Sequence, residues 1–178
     1  ITLDHVLPHV FEQREDLQSD VWKRHVAFEK GKTYLVEAMS GTGKSTLCSY
    51  ILGYRHDFKG NVLFDQTDTR TLTVNNWAEV RQKHVSHLFQ ELRLFPELTA
   101  LQNVEIKNNL THSKSETQIA EWFERLGIAD KLHVKVGLMS FGQQQSVSMI
   151  RDLFQPFDFL LLDEPISHLD DMNSSIMA

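Results

Sequence analysis

Cysteine is nearly absent from the sequence. Cys48 is the single example in 178 residues, so no disulfide can form within the chain, and this usage fits a reducing compartment. Cys48 falls in an apolar helical pattern and reads as a packed thiol. Long apolar runs are missing as well. No stretch approaches the roughly 18–20 residues that a bilayer-spanning helix needs, and the longest buried-looking run, Phe157 to Leu162, is interrupted by Asp158. An excess of basic charge is also missing. Lys and Arg number 18 against 24 Asp and Glu, for a formal charge of −6. Non-specific nucleic-acid binders gather their partner with a basic face, so no nucleic-acid partner is expected. Internal repeats, low-complexity tracts and a secretory signal pattern are all lacking. The ends suggest a piece of a longer chain: residue 1 is Ile, and residues 171–178 stop without a helix cap or a tail-like composition.

What is present is ordinary for a globular protein, with 41% apolar and 24% charged residues and enough length for one compact domain. The first thirty residues read as β-rich, with Val6, Val10, Val21, Val26 and Phe28 in short extended patches around a polar hairpin loop, Glu12 to Asp20. Thr33 to Ala38 (TYLVEA) predicts a buried strand. Leu47, Tyr50, Ile51 and Tyr54 fit the i, i+3, i+4, i+7 spacing of a helix. Asn61 to Phe64 reads as a strand after a turn at Lys59-Gly60, and Val85 to Phe89 as another. From about residue 92 to 150 the pattern is mainly helical. Ser115 with Gln118 and Ser140 with Gln143 form capping boxes. The first precedes an apolar face of Ile119, Trp122, Phe123 and Leu126 ended by Gly127, and the second precedes Val147, Ile150 and Phe154. Phe159 to Leu162 reads as a strand inside a parallel sheet covered on both faces. The order predicts an α/β core with an inserted helical part.

Residues 38–46, AMSGTGKST, lie directly after one predicted strand and before a predicted helix, the context a phosphate-binding loop requires. Gly41 and Gly43 allow the backbone amides to form a nest for phosphate oxygens, and the helix N-terminus adds its dipole. Lys44 can reach the β and γ phosphates, the Ser45 hydroxyl can ligate Mg²⁺, and Thr46 can bond a further phosphate. Ala38 stands where the usual pattern begins with glycine. The loop points to a nucleoside triphosphate without separating kinases, GTPases, helicases and transport ATPases. A chance glycine-rich turn is the competing reading.

Residues 157–165, FDFLLLDEP, place two carboxylates at the end of an apolar strand, the edge at which α/β folds bind ligands. Asp163 could orient Mg²⁺ through water, and Glu164 could polarise an attacking water as general base. Two solvated surface acids are the bland alternative. His84 and His87, three apart in a predicted strand, face opposite sides and do not form a metal pair.

Between these sites lies MSFGQQQ, residues 139–145. It resembles the signature motif of the ABC ATPases, usually met as LSGGQ. Gln90, in HLFQELRLFPELTALQNV, looks like the glutamine of that family's Q-loop. Ser167-His168-Leu169-Asp170, after Asp163-Glu164-Pro165, looks like its D-loop. The five motifs stand in the family's order, and the resemblance covers essentially the whole chain. The chain is thus similar to the ATP-binding subunits of ABC transporters, and residues 87–104 are closest to the lipoprotein-release and macrolide-export group.

The resemblance implies a P-loop NTPase (RecA-like) core with an N-terminal antiparallel β part and an inserted helical subdomain. It implies one domain over residues 1–178, incomplete at its C-terminus, with 1–90 and 155–178 as the core and β part and 91–154 as the helical signature part. It implies ATP and Mg²⁺ as ligands and hydrolysis of ATP, with Glu164, Lys44 and Gln90 catalytic and Ser45, Gln90 and Asp163 on the metal. Two subunits, either two copies of this chain or one with a homologous ATPase subunit, would face head to tail. Each site would join Met39, Ser40, Gly41, Thr42, Gly43, Lys44, Ser45 and Thr46 of one subunit to Ser140, Gly142 and Gln143 of the other. Gln90 would couple chemistry to an integral membrane transport subunit, placing the chain in the cytoplasm, peripheral at the inner face of the cell membrane. Phe11 matches by position the aromatic that stacks on adenine, with a core phenylalanine as its other reading.

Departures from the family's pattern are Ala38, Phe141 in place of the first signature glycine, and Ser146 where an arginine commonly follows the glutamines. The chain also ends at Ala178, before the family's switch histidine, so this segment alone is expected to turn over little. These departures keep open a nucleotide-dependent interaction module with weak or no hydrolysis. A soluble ABC protein of the translation or DNA-repair type would usually carry two cassettes or a coiled coil, and neither is seen.

Overall fold

The structure is a computed structural model that describes residues 1–39 and 41–163. It contains two compact units, Ile1–Arg81 and Gln82–Ala178. No helix among the described residues is long and apolar enough to cross a membrane.

In the first unit, β1 (Thr2–Pro8) pairs antiparallel with both β2 (His25–Ala27) and β3 (Phe58–Phe64), and β3 pairs with β4 (Thr67–Asp68), giving the order β2-β1-β3-β4. Leu3 and Val6 on β1 and Val62 on β3 are fully buried. The expected β-rich opening and its polar loop are therefore present. The turn expected at Lys59-Gly60 is not. Both residues lie within β3, at a shift of register between Asp4 and Leu7 of β1. Gly60 there has φ +84°, and a Cβ on it would meet the His5 carbonyl oxygen at 2.4 Å. Its glycine therefore marks a bulge rather than the end of a strand.

Helix α1 (Lys44–Ile51) buries Leu47, Tyr50 and Ile51. Tyr54, assigned to the same face, lies beyond the helix and is 48% exposed. Gly53, with φ +65°, turns the chain away first, against the Trp77 ring. Trp77 belongs to α2 (Val74–Glu79) and meets Phe64 edge-on. The Tyr50 hydroxyl donates to the Asp57 carbonyl at 3.0 Å, and burial together with the Asp57 charge pushes its pKa up to about 12.

The expectation for Thr33–Ala38 is overturned. The segment forms no strand and is exposed, with Leu35 at 82%. Its apolar, β-branched run has the composition of a strand, but a strand exists only through ladder bonds to a neighbour. Neither sheet among the described residues includes it.

In the second unit, β5 (Val85–Leu88) and β6 (Phe159–Leu162) run parallel, pairing Val85 with Phe159 through Leu88 with Leu162. β5 is buried throughout, whereas β6 is only half-buried and Leu162 is exposed. The strand expected at Phe159–Leu162 is present and parallel, but it is not covered on both faces, having one strand neighbour among the described residues. His84 ends a π-helical turn, Val80–His84, rather than lying in a strand, and pairs with Asp158 at 2.7 Å.

Among the described residues the second unit also holds three α-helices, α3 (Ala100–Thr111), α4 (Glu116–Arg125) and α5 (Phe141–Leu153). Each starts at a capping box, Thr99 with Gln102, Ser115 with Gln118 and Ser140 with Gln143. Their shared core contains Val104, Ile119, Phe123, Leu126, Val147, Ile150 and Phe154, and Gly127 follows α4 with φ +66°. The helical stretch expected between residues 92 and 150, and both expected caps, are present.

Candidate functional site

Helices α2, α3, α4 and α5 all begin under a serine or threonine whose side chain caps the first turn. Helix α1 does not. Its N-cap is Gly43, left-handed at φ 104°, with no side-chain cap. Its first ladder bond runs from the Leu47 amide to the Gly43 carbonyl at 2.9 Å, so the amides of Lys44, Ser45 and Thr46 head the helix end. An uncapped end of this kind suits an anion.

The loop before it is held from several sides. Thr42 donates both its amide, at 3.3 Å, and its hydroxyl, at 2.6 Å, to the Met39 carbonyl. Gly41 has φ +76°. The indole N–H of Trp22, a residue that is 5% exposed, donates to the Thr42 carbonyl at 3.1 Å. A Cβ on Gly43 would stand 3.0 Å from the Trp22 ring and 3.3 Å from that of Phe11. Lys44 Nζ donates to the Ala38 carbonyl at 2.9 Å, folding over its own loop. Thr46 Oγ1 accepts from Arg55 at 3.5 Å. Ser45 and Met39 are exposed, and Ser40 lies outside the described residues. Trp22 was not legible as a loop support, because its partner lies twenty residues away with no shared periodicity. Its only signal was a large aromatic with a polar handle, which needs a bond when buried.

Phe11 is corrected. It is 5% exposed, its ring tilts against Trp22 at 6.5 Å, and the Arg14 guanidinium covers it at 5.3 Å. An adenine platform needs an open ring face. This is instead the packing of a core phenylalanine, the alternative left open above.

In the second unit, Gln90 follows β5 and Asp163 follows β6. Because the strands are parallel and in register, both residues stand at the same C-terminal edge, and the Asp163 amide donates to the Leu88 carbonyl at 3.2 Å. Glu164 and the Ser167–Asp170 stretch lie outside the described residues. Ser140 caps α5, its Oγ accepting from the Gln143 amide at 3.3 Å while Gln143 Oε1 accepts from the Ser140 amide at 3.0 Å. Gln144 ties the preceding loop by donating to the Val136 and Met139 carbonyls. Phe141 leaves nearly half its surface open on the first turn of α5. Ser146 is buried, donating its hydroxyl to the Gly142 carbonyl at 3.2 Å.

His87, on β5, is 7% exposed, and neither ring nitrogen has a hydrogen-bond partner among the described residues. Burial is the main cause of its pKa falling to about 4. The nearby Asp163 and Asp152 oppose that shift, and Arg93 and Lys107 reinforce it. The unfolded chain takes up this proton near pH 6.5 and the folded chain only near 4. Stability therefore falls as pH drops through that window and levels off below it, by about 1–3 kcal/mol. Replacing His87 with Phe should remove this loss. Urea melts of nucleotide-free protein at pH 7 and pH 4.5 measure it, and equal slopes in both proteins would contradict the assignment.

A left-handed glycine opening an uncapped helix, a lysine bent over the loop, and an acid at the carboxyl edge of a parallel strand pair define the class of P-loop nucleotide-binding proteins. The comparisons narrow this further. The profile of the ABC transporter family matches residues 23–167, and the chain belongs to that family. YclH of Bacillus subtilis (strain 168), an uncharacterized ABC transporter ATP-binding protein, is 36% identical over 154 residues, covering 84% of this chain and 67% of the relative. The macrolide export ATP-binding/permease protein MacB of Shewanella sp. (strain W3-18-1) is 33% identical over 162 residues, 89% of this chain and 25% of the relative. The dimeric structure of MJ0796, a bacterial ABC transporter cassette, matches with a TM-score of 0.81 at 25% identity, over 98% of this chain and 78% of that one. The chain is accordingly an ABC transporter ATP-binding domain with an α/β P-loop NTPase fold.

Proposed function

We propose that the chain is the ATP-hydrolysing motor of a membrane transporter. The observation that carries this is the start of α1, where the left-handed Gly43 opens the helix without a side chain of its own to cap it, so that the first-turn amides head the helix end, and Lys44 lies over the loop. Phosphate oxygens of ATP satisfy such amides, and the lysine neutralises their charge. Gly41 and Thr42 shape the loop, and Met39 and Ser40 lead into it. Ser45, Gln90 and Asp163 would hold Mg²⁺, which when bound neutralises charge on the phosphates. Glu164 accepts the proton of the attacking water.

Hydrolysis is proposed to occur between two subunits, with Ser140, Gly142 and Gln143 of one offering the N-terminus of α5 to the nucleotide of the other. The dimeric state named for the solved cassette supports the pairing. The joint ATP-binding/permease name of the MacB relative supports a membrane transport subunit as the third component, with this chain on the cytoplasmic side of the membrane. The proposed arrangement is one cassette in which residues 91–154 form the helical signature part and the remainder the core.

Phosphate release by full-length protein, compared with its Glu164→Gln variant, tests this reading. Wild type should turn over ATP, and the variant should lose about 10²–10⁴-fold in rate while still binding ATP. ATP bound by the wild type without turnover would favour the interaction module instead, a reading for which the exposed Phe141 ring speaks.

A further inference from the structure

Hydrogen bonds from α5 reach the turn that carries Gln90. Arg151 is 5% exposed. One terminal nitrogen of its guanidinium donates to the Arg93 carbonyl at 2.7 Å, and the other to the Leu92 carbonyl at 2.8 Å. Ser148, one turn earlier on α5, donates its hydroxyl to the same Leu92 carbonyl at 3.1 Å. Leu92 and Arg93 are consecutive left-handed residues, with φ 58° and 48°, although neither is glycine. That conformation costs about 1 kcal/mol or more at each residue and persists only where surrounding contacts impose it. The Leu92 amide donates to the Phe89 carbonyl at 3.0 Å, closing the turn over Gln90 and Glu91. Asp152, fully buried, lies 3.3 Å from Arg151 Nε and keeps the guanidinium neutralised in the interior.

We propose that Arg151 is a positioning residue for Gln90. Its fork holds two strained carbonyls at once, and this fixes the turn that presents the glutamine beyond β5. It joins the helix that begins at Ser140 to the Gln90 turn within one subunit. The inference rests on the role proposed for Gln90. A planar two-pronged donor suits this task, whereas the lysine ammonium is a point charge on a flexible stem and does not hold both carbonyls in one geometry.

Arg151→Lys keeps the positive charge beside Asp152, so the fold should persist. Hydrogen exchange of the amides from 90 to 94, in nucleotide-free protein, should quicken about tenfold or more in this variant, while the amides of α3 and α4 keep wild-type rates. Unchanged exchange in the turn would overturn the proposal. Turnover gives a second, independent readout. In full-length protein Arg151→Lys should lower kcat about tenfold with KM for ATP within roughly twofold, and should add nothing in a Gln90→Ala background. An equal loss in both backgrounds would show a merely structural role and also overturn it. Absence of turnover in the wild type would count against the transport-motor reading alone, and the exchange result would still decide the role of Arg151.

Discussion

Replacing Asp152 with alanine should destabilise the protein by about 3–5 kcal/mol, the cost of leaving a buried ion network without its counter-charge. Asp152 is fully buried, Lys107 Nζ of α3 donates to its Oδ1 at 2.6 Å, and Arg151 Nε stands 3.3 Å from the same oxygen. Its backbone carbonyl accepts from Ser86 Oγ of β5 at 2.6 Å. Burial lowers the Lys107 pKa, and the Asp152 charge and hydrogen bond oppose that fall. Without the carboxylate, Arg151 and Lys107 would face one another as uncompensated cations. Pairing Asp152→Leu with Lys107→Met removes the Lys107 charge along with its partner and should recover only part of the loss, because the buried Arg151 guanidinium still lacks the Asp152 carboxylate. Chemical denaturation of the four proteins of that cycle is the measurement. Additive losses would show that the pair does not act as a unit.

Replacing Lys44 with alanine should reduce ATP turnover by about 10²–10³-fold, the usual effect of removing one charged donor from a preorganised site. The fold should be untouched. Lys44 is the first residue of α1, its ammonium bonds only the Ala38 carbonyl among the contacts described, and alanine is the best helix former. A fall in turnover with an unchanged melting temperature in the absence of nucleotide is the expected pair of results. A parallel fall in stability would assign Lys44 a structural role.

How much of this was legible in the sequence depended on how far each residue's partner lay along the chain. Local devices could be read. The Ser115 and Ser140 boxes are set by a hydroxyl and a glutamine three residues apart, and both are present. The phosphate loop was legible for the same reason, because its glycines, lysine and helix are contiguous. Features that need a distant partner were not. Thr33–Ala38 has the composition of a strand but no ladder neighbour among the described residues. Lys59-Gly60 looks like a turn until its bulge against β1 is seen. Phe11 could have stacked on a base or packed in the core, and only the positions of Trp22 and Arg14 decide for the core. Arg151 left a faint signal, a charged residue on the apolar face that Val147 and Ile150 define, with its carbonyl partners more than fifty residues upstream.

On the proposed function, the loop from Gly41 to Thr46 binds the phosphates of ATP. Calorimetric titration of the full-length protein with Mg·ATP, run beside the Lys44→Ala variant, tests it most directly. Saturable binding of one nucleotide per chain is expected, weakened severalfold or more by the substitution. No heat of binding in the wild type, or equal affinity in both proteins, would contradict it.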